Sequence, residues 1–403
     1  MSPEKQSPFY KDLSELETQG LLRHLPKSYE LPGPTVFVRG RWLVCLASNN
    51  YLGISTHPRV IKATCDAAVG SGCGSTGSRL LSGNLSIHES LENEIAAFKG
   101  TEAALLFNSG YVANMAILTA MAGEEDLIVS DKLNHASIID GARASGAKVR
   151  WFTHKSVEDA ENILSSSIGV RRRFIVTDGV FSMDGDVAPL PELLELARKY
   201  EAVLVLDDSH ATGVLGKSGR GSFEYFGIVP DAKQLGIPGL VQMGTFSKAF
   251  GSFGAFVACD VMTKNFLINK ARPFVFTTSL PPPVIAASRE SLRMLIEEPA
   301  MVLKLADNVN FLKESLKSAS FNLPSTPPTP IIPIVVGDAG AAVKVAEALE
   351  EMGVYALPVR PPAVPTGTAR IRVTVMATHE RQHLEIAAKA FKSSFGEARC
   401  VQR

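Results

Sequence analysis

The run Val203-Leu204-Val205-Leu206-Asp207-Asp208-Ser209-His210 decides the fold. Four consecutive apolar residues with no alternation suit a strand covered on both faces. The run then stops at two acids. Ala103-Ala104-Leu105-Leu106-Phe107, Leu127-Ile128-Val129 and Phe174-Ile175-Val176 repeat the pattern, and Trp42-Leu43-Val44-Cys45-Leu46 reads as an earlier strand. Helical patterns lie between them. One opens at Pro191, a good first-turn residue, and continues through Leu193, Leu194, Ala197 and Tyr200. The alternation predicts an α/β fold: a mostly parallel sheet with helices on both sides. Such sheets bind ligands beyond the carboxyl ends of their strands. Asp178, Asp207 and Lys248 all fall in such places.

Outward from this centre, three regions are expected. Residues 1–50 read as an N-terminal helix and arm, with a loose apolar stripe (Leu13, Leu16, Leu21, Leu22) broken by Pro26, Pro32 and Pro34. Residues 51–290 read as the large domain. Residues 291–403 read as a smaller α/β domain: a helix over 300–319, a link with Pro324, Pro327, Pro328 and Pro330, a strand over 331–336, a helix over 340–352, short strands near Val354 and Ile371, and a last helix after His379. There is no internal repeat.

Composition excludes several classes of function. Among 403 residues, Lys plus Arg and Asp plus Glu number 41 each, so no net field favours nucleic acid or an anionic membrane. Arg171-Arg172-Arg173 is the one dense basic run, and it reads as a solvated strand entry. Cys45, Cys65, Cys73, Cys259 and Cys400 are odd in number, widely spaced and without a C-x-x-C pair, which argues against a disulfide framework or zinc ribbon. No apolar run reaches membrane-spanning length. Met1-Ser2-Pro3-Glu4-Lys5 is no basic leader, and Cys400-Val401-Gln402-Arg403 matches no address signal. A soluble cytoplasmic protein is expected.

Two motifs match only in form. Gly72-Cys73-Gly74-Ser75-Thr76-Gly77 fits G-x-G-x-x-G, but it follows a helical stretch, Val60 to Val69, where a dinucleotide fingerprint follows a strand. It reads as a flexible loop near the site entrance. His379-Glu380-Arg381-Gln382-His383 fits H-E-x-x-H, but it opens the last helix after a capping Thr378 and lacks a convincing third ligand, so no metal is expected.

The stronger signal is Gly244-Thr245-Phe246-Ser247-Lys248-Ala249-Phe250-Gly251. A lysine among hydroxyls and glycines, with an upstream acid at a strand end, suits pyridoxal 5'-phosphate (PLP) chemistry. The amine holds the aldehyde as a Schiff base, and the carboxylate keeps the pyridine nitrogen protonated. Asn108-Ser109-Gly110-Tyr111 ends a strand and opens a helix, so its N–H groups offer a phosphate cradle or an ordinary strand-to-helix turn. The imidazole in Asn134-His135-Ala136-Ser137 offers a ring to stack on a ligand or a buried side chain satisfied by backbone. Asp207 and His210, three apart, can face one ligand. Thr277-Thr278-Ser279-Leu280-Pro281-Pro282 supplies hydroxyls, and Arg360, before Pro361-Pro362, suits bidentate capture of a carboxylate or a surface position.

In order, Ser48-Asn49-Asn50-Tyr51-Leu52-Gly53, Ser109-Gly110-Tyr111, Asn134-His135-Ala136-Ser137, Phe181-Ser182-Met183-Asp184-Gly185, Asp207-Asp208-Ser209-His210, Thr245-Phe246-Ser247-Lys248 and Thr278-Ser279-Leu280-Pro281-Pro282 resemble the α-oxoamine synthases, PLP-dependent acyltransferases, over nearly the whole chain. The resemblance implies the aspartate-aminotransferase-like fold of PLP enzymes (fold type I) and a homodimer with active sites at the subunit interface. By matching position it makes Lys248 the Schiff-base lysine, Asp207 the partner of the pyridine nitrogen and His135 the stacking ring. His210 and Ser182 then contact the phenolic oxygen. Ser109, Gly110, Tyr111, Thr245 and Ser247 hold or border the phosphate, with Thr278 arriving from the other subunit. Arg23, Asn49 and Arg360 contact substrate. Arg360 to Arg370 and Ser182 to Leu190 look like the members that serve biotin biosynthesis, which implies a decarboxylating condensation of L-alanine with a pimeloyl thioester of coenzyme A or an acyl-carrier protein. Ala363 departs from those members, which commonly have threonine there. Thr177-Asp178-Gly179 and Asp207 to Ala211 also look like glycine C-acetyltransferase, which uses glycine and acetyl-CoA, and the two readings stay open.

Overall fold

Each of these apolar runs is a strand in the computed structural model, which describes residues 7–19, 21–25 and 33–398, with side chains as far as 395. Pro26 and Pro32 of the expected arm, the Met1–Lys5 start and the Cys400–Arg403 end lie outside the described residues. The chain divides into two compact units: Met1–Ser48 with Asn308–Ser325 and Ile331–Arg403, and Asn49–Asp307 with Thr326–Pro330. In the first unit the helix Tyr10–Thr18 buries none of its residues. Leu13 and Leu16 are exposed and Leu21 and Leu22 lie past its end, so the expected stripe does not form one buried helical face. A hairpin follows, β1 (Thr35–Val38) antiparallel to β2 (Arg41–Cys45).

The second unit carries the seven-stranded sheet. Its strands are β3 (Ala103–Phe107), β4 (Leu127–Asp131), β5 (Lys148–Phe152), β6 (Arg173–Asp178), β7 (Ala202–Asp207), β8 (Leu240–Thr245) and β9 (Ala255–Cys259), in the order β3-β9-β8-β7-β6-β4-β5. From β5 to β8 all neighbours run parallel, and β9 is antiparallel to both β8 and β3. Side chains alternate between two cores. Leu204 and Leu206 of β7 join Leu193, Leu194 and Ala197 of the helix Leu190–Lys199 on one face. Val205 joins Ala113 and Ile117 of the helix Gly110–Met121 on the other. Both faces are covered, so the strand is apolar until its last residue, Asp207. Each such side chain contributes about 1.5–3 kcal/mol by leaving water. β5 is one of the two edge strands and, unlike β3 at the other edge, is largely exposed. It has no solid apolar run, which explains why it does not stand out in the sequence.

The first unit resumes with β10 (Ile331–Gly337), β11 (Val354–Tyr355), β12 (Pro358–Val359) and β13 (Ala369–Thr374). These complete two small sheets, β1-β2-β11 and β10-β13-β12. The helices Ala339–Glu351 and Arg381–Ala398 match the expected ones. Thr378 is not the cap of the latter, which starts too far downstream. Instead His383, at the third helical position, reaches back, and its Nδ1 accepts the Glu380 N–H at 3.1 Å.

His379 is a satisfied core histidine. It is 0% exposed, its Nδ1 accepts from the Met376 N–H at 3.0 Å, and its Nε2 donates to the Cys45 carbonyl at 3.0 Å. Both ring nitrogens are therefore engaged, which leaves none for a metal. Burial pushes its pKa down to about 4. The unfolded chain takes up this proton near pH 6.5, the folded chain only near pH 4, so the unfolded state binds more protons between those values and stability falls as the pH drops through them. The expected loss by pH 4 is on the order of 3 kcal/mol. Urea unfolding at a series of pH values should show a shallower acid slope in His379→Gln than in the parent; equal slopes would refute the assignment.

Candidate active site

The carboxyl ends of β3, β4, β6, β7 and β8 surround a cavity of about 190 Å³. Ser109, Gly110 and Tyr111 reach it from the end of β3, His135 from β4, Asp207 and His210 from β7, and Thr245, Ser247 and Lys248 from β8. Nine positions picked from the sequence thus meet in one place. They come together because parallel strands deliver every strand-to-helix turn to the same edge of the sheet.

At the β3 end, Ser109 caps the helix Gly110–Met121, its Oγ accepting the Val112 N–H at 3.3 Å. The remaining N–H groups of that first turn have no intrahelical acceptors and carry the positive end of the helix dipole. At the β8 end, the Thr245 and Ser247 hydroxyls lie 2.8 Å apart, and Thr245 Oγ1 donates to the Gly254 carbonyl at 2.8 Å. Helix start and hydroxyl pair line the same cavity, and such groups suit an anion.

Asp207 is buried at the end of β7 with both carboxylate oxygens engaged. Oδ1 accepts the Ser209 N–H at 2.9 Å, and Oδ2 accepts Asn114 Nδ2 at 2.7 Å. The second Asn114 amide hydrogen goes to Ser137 Oγ at 2.9 Å, and Ser137 Oγ lies 2.7 Å from His135 Nδ1. A continuous chain of hydrogen bonds therefore links the carboxylate to the imidazole. Burial holds the His135 pKa below its ordinary value, so the ring is neutral. Asp178, paired directly with Asp207 across β6 and β7, also lines the cavity, and its Oδ2 accepts the His135 N–H at 3.0 Å. Burial, and then the neighbouring Asp207, hold the Asp178 carboxyl well above the usual range. Behind them, Lys99 Nζ meets Asp208 Oδ2 at 2.9 Å, with both side chains almost wholly enclosed. Asp208 also accepts from the Ser222 hydroxyl at 2.5 Å, which fixes the turn that follows β7.

Asn114, Ser137, Asp178, Ser209 and Met243 line the cavity without having been picked as site residues. Asn114 had a readable signal: it is the one strongly polar side chain in the otherwise apolar Gly110–Met121, four residues after Gly110 and so on the same helix face. Asn49, Ser182 and Thr278 are not among the lining residues. Thr278 is exposed, and its carbonyl accepts from Asn108 Nδ2 at 2.8 Å. Arg23 and Arg360 belong to the first unit, where Arg23 donates to the Pro361 carbonyl at 3.4 Å and Arg360 follows β12. The loop after Gly72 follows the helix Pro58–Ser71 and precedes turns, unlike a dinucleotide fingerprint.

The donor set fits PLP. One lysine amine, an anion cradle, a carboxylate held by two donors and a neutral imidazole correspond to its aldehyde, phosphate, ring nitrogen and ring face.

Residues 42–391 match the family of class I and II aminotransferases. The chain is 45% identical over 94% of its length, and 96% of the relative's, to 8-amino-7-oxononanoate synthase of Exiguobacterium sibiricum. It is 46% identical, with coverage of 94% and 96%, to the enzyme of that name from Citrifermentans bemidjiense. Among solved structures, serine palmitoyltransferase from S. paucimobilis with bound PLP–myriocin aldimine superposes at a TM-score of 0.90, with 31% identity over 100% of both chains. The 8-amino-7-oxononanoate synthase of Francisella tularensis superposes at 0.76, with 28% identity over 88% of this chain and 98% of that one. With Lys248 and Asp207 lining one cavity and these relatives over nearly its whole length, this chain belongs to the class I and II aminotransferase family and, within it, to the 8-amino-7-oxononanoate synthases.

Proposed function

We propose that the protein condenses L-alanine with a pimeloyl thioester, with loss of carbon dioxide and release of the thiol, to form 8-amino-7-oxononanoate for biotin biosynthesis. The observation that carries this reading is Lys248 and Asp207 facing one cavity in a chain 45% identical to enzymes of that name. Bound there, PLP supplies an electron sink for the pair left when a bond to the α-carbon of the amino acid breaks.

The chain's residues do the rest. Ser109, Gly110, Tyr111, Thr245 and Ser247 anchor the phosphate. Asp207, held from two sides by hydrogen-bond donors, keeps a proton on the ring nitrogen. His135, kept neutral by its burial, covers the ring face. His210 and Ser182 hold the phenolic oxygen. The Lys248 amine would hold the cofactor's aldehyde and, when free of it, would take the α-proton. Arg360, Arg23 and Asn49 orient the substrates. In this reading residues 51–290 carry the cofactor, residues 291–403 carry Arg360, and the enzyme works in the cytoplasm as a homodimer to which Thr278 contributes across the interface.

The test is an absorbance titration of the PLP-loaded protein with L-alanine and with glycine, followed by thioester consumption with pimeloyl-CoA, a pimeloyl-carrier protein and acetyl-CoA. A spectral change with alanine and turnover with either pimeloyl thioester is the expected result. Preference for glycine and acetyl-CoA would reassign the protein as a glycine C-acetyltransferase. No visible absorbance after PLP loading would remove the cofactor assignment.

A further inference from the structure

His154, two residues past β5, sets its ring between two acids. Nδ1 lies 3.1 Å from both oxygens of Asp131, the last residue of β4. Nε2 lies 2.9 Å from Asp186 Oδ2, in the loop after β6. Each acid meets further donors. Asp131 accepts the Leu133 N–H and the Lys155 N–H, both at 2.8 Å, and Asp186 Oδ2 lies 2.6 Å from Lys155 Nζ. A carboxylate only accepts, so each ring nitrogen carries a proton and the ring is an imidazolium. Burial opposes that charge, but the hydrogen bonds to Asp131 and Asp186 outweigh it and push the His154 pKa up to about 9.

The two acids belong to the segments that deliver site residues. After Asp131 the chain turns, with the Asn134 N–H on the Asp131 carbonyl at 3.2 Å, and His135 follows. Asp186 closes the other loop: its carbonyl accepts the Phe181 N–H at 3.0 Å, and the Phe181 carbonyl accepts the Gly185 N–H at 2.8 Å, with Ser182 inside the turn. The His154 ring also stands edge-on to the buried Phe181 ring, with centroids 4.4 Å apart. Lys155 has φ +57°, a region unfavourable to a residue with a side chain, and in that conformation it reaches Asp131 with its N–H and Asp186 with its amine.

We propose that His154 is a positioning residue: by bridging Asp131 and Asp186 it clamps the turn that carries His135 to the loop that carries Ser182, and so sets the spacing between the side chain on the cofactor ring face and the one at the phenolic oxygen. Those two roles rest on the reading of the cavity as a PLP site. Glutamine carries its donors on a single nitrogen, so at position 154 it cannot serve both acids as the two ring nitrogens do.

The test is nitrogen-15 NMR of the full-length protein labelled at its eight histidines, without and with PLP, together with PLP dissociation. His154→Gln and His135→Gln assign the signals. Arg171→Gln, which breaks the ion pair with Asp126 just before β4, controls for a general loss of stability. At neutral pH the parent should show His154 protonated on both nitrogens. In His154→Gln the His135 signals of the cofactor-free protein should move, and PLP dissociation should rise about tenfold. Arg171→Gln should change neither. A neutral His154 in the parent overturns the proposal. So do unmoved His135 signals or unchanged PLP dissociation in His154→Gln, or equal changes in Arg171→Gln. Should His154→Gln not fold, Asp186→Ala cuts the bridge from the other side and carries the same expectations. If the parent takes up no PLP, the cofactor reading falls, and the cofactor-free spectra alone decide the clamp.

Discussion

Lys248→Ala is expected to lower turnover by at least about 10³-fold, because in the proposed reaction one amine both holds the cofactor and takes the α-proton. Lys248 is the only lysine among the lining residues, so no described neighbour supplies a second amine there. The substitution removes a half-buried side chain at the cavity edge and leaves the apolar layers alone. The melting temperature of the cofactor-free protein should hardly move. Borohydride reduction of the PLP-loaded parent should fix the cofactor to the peptide containing Lys248, and the same treatment of Lys248→Ala should fix none. Retained turnover, or cofactor trapped elsewhere, would refute the role.

Asp207→Asn should lower turnover by about 10²- to 10⁴-fold while the protein still folds and binds PLP. A neutral amide cannot keep the ring nitrogen protonated as a carboxylate does. The structure adds a second cost. Both oxygens of Asp207 accept from donors, the Ser209 N–H and Asn114 Nδ2. An asparagine offers one oxygen and one NH₂, so whichever way it turns, one of these buried donors meets another donor. That unmet bond costs about 1–3 kcal/mol. Denaturant midpoints and steady-state rates, measured on the same preparation, separate the two effects. Near-normal turnover would dispose of the role assigned to Asp207.

How much of this was legible before any coordinates depends on what surrounds each residue. β3 and β7 could be read because burial on both faces leaves their sequences continuously apolar. β5 could not, since its exposed edge position allows Lys148 and Arg150. That β9 runs antiparallel between β3 and β8 is a pairing fact with no local signature. In the site, Lys248, Asp207 and His135 were readable because their chemistry is uncommon and each sits at or just after the end of a strand. Asn114 and Ser137 were passed over because an amide or hydroxyl within a helix usually faces water. Only their three-dimensional placement turns them into the link between Asp207 and His135. Thr378 was misplaced as a cap because hydroxyl caps are commoner than an imidazole reaching back from the third position.

The cavity lining begins at Ser109 and ends at Lys248, with contributions from five strand ends. No shorter fragment of the chain holds both the cradle and the lysine. A ribosome must therefore release the whole span, and the parallel pairings of β4, β6, β7 and β8 must close, before the cofactor has anywhere to bind. Capture of the cofactor then reports that the large sheet has been assembled in the correct order. Because a ligand that binds only the folded form draws the equilibrium towards it, supply of the cofactor becomes a quality check on newly made enzyme as well as a requirement for its chemistry.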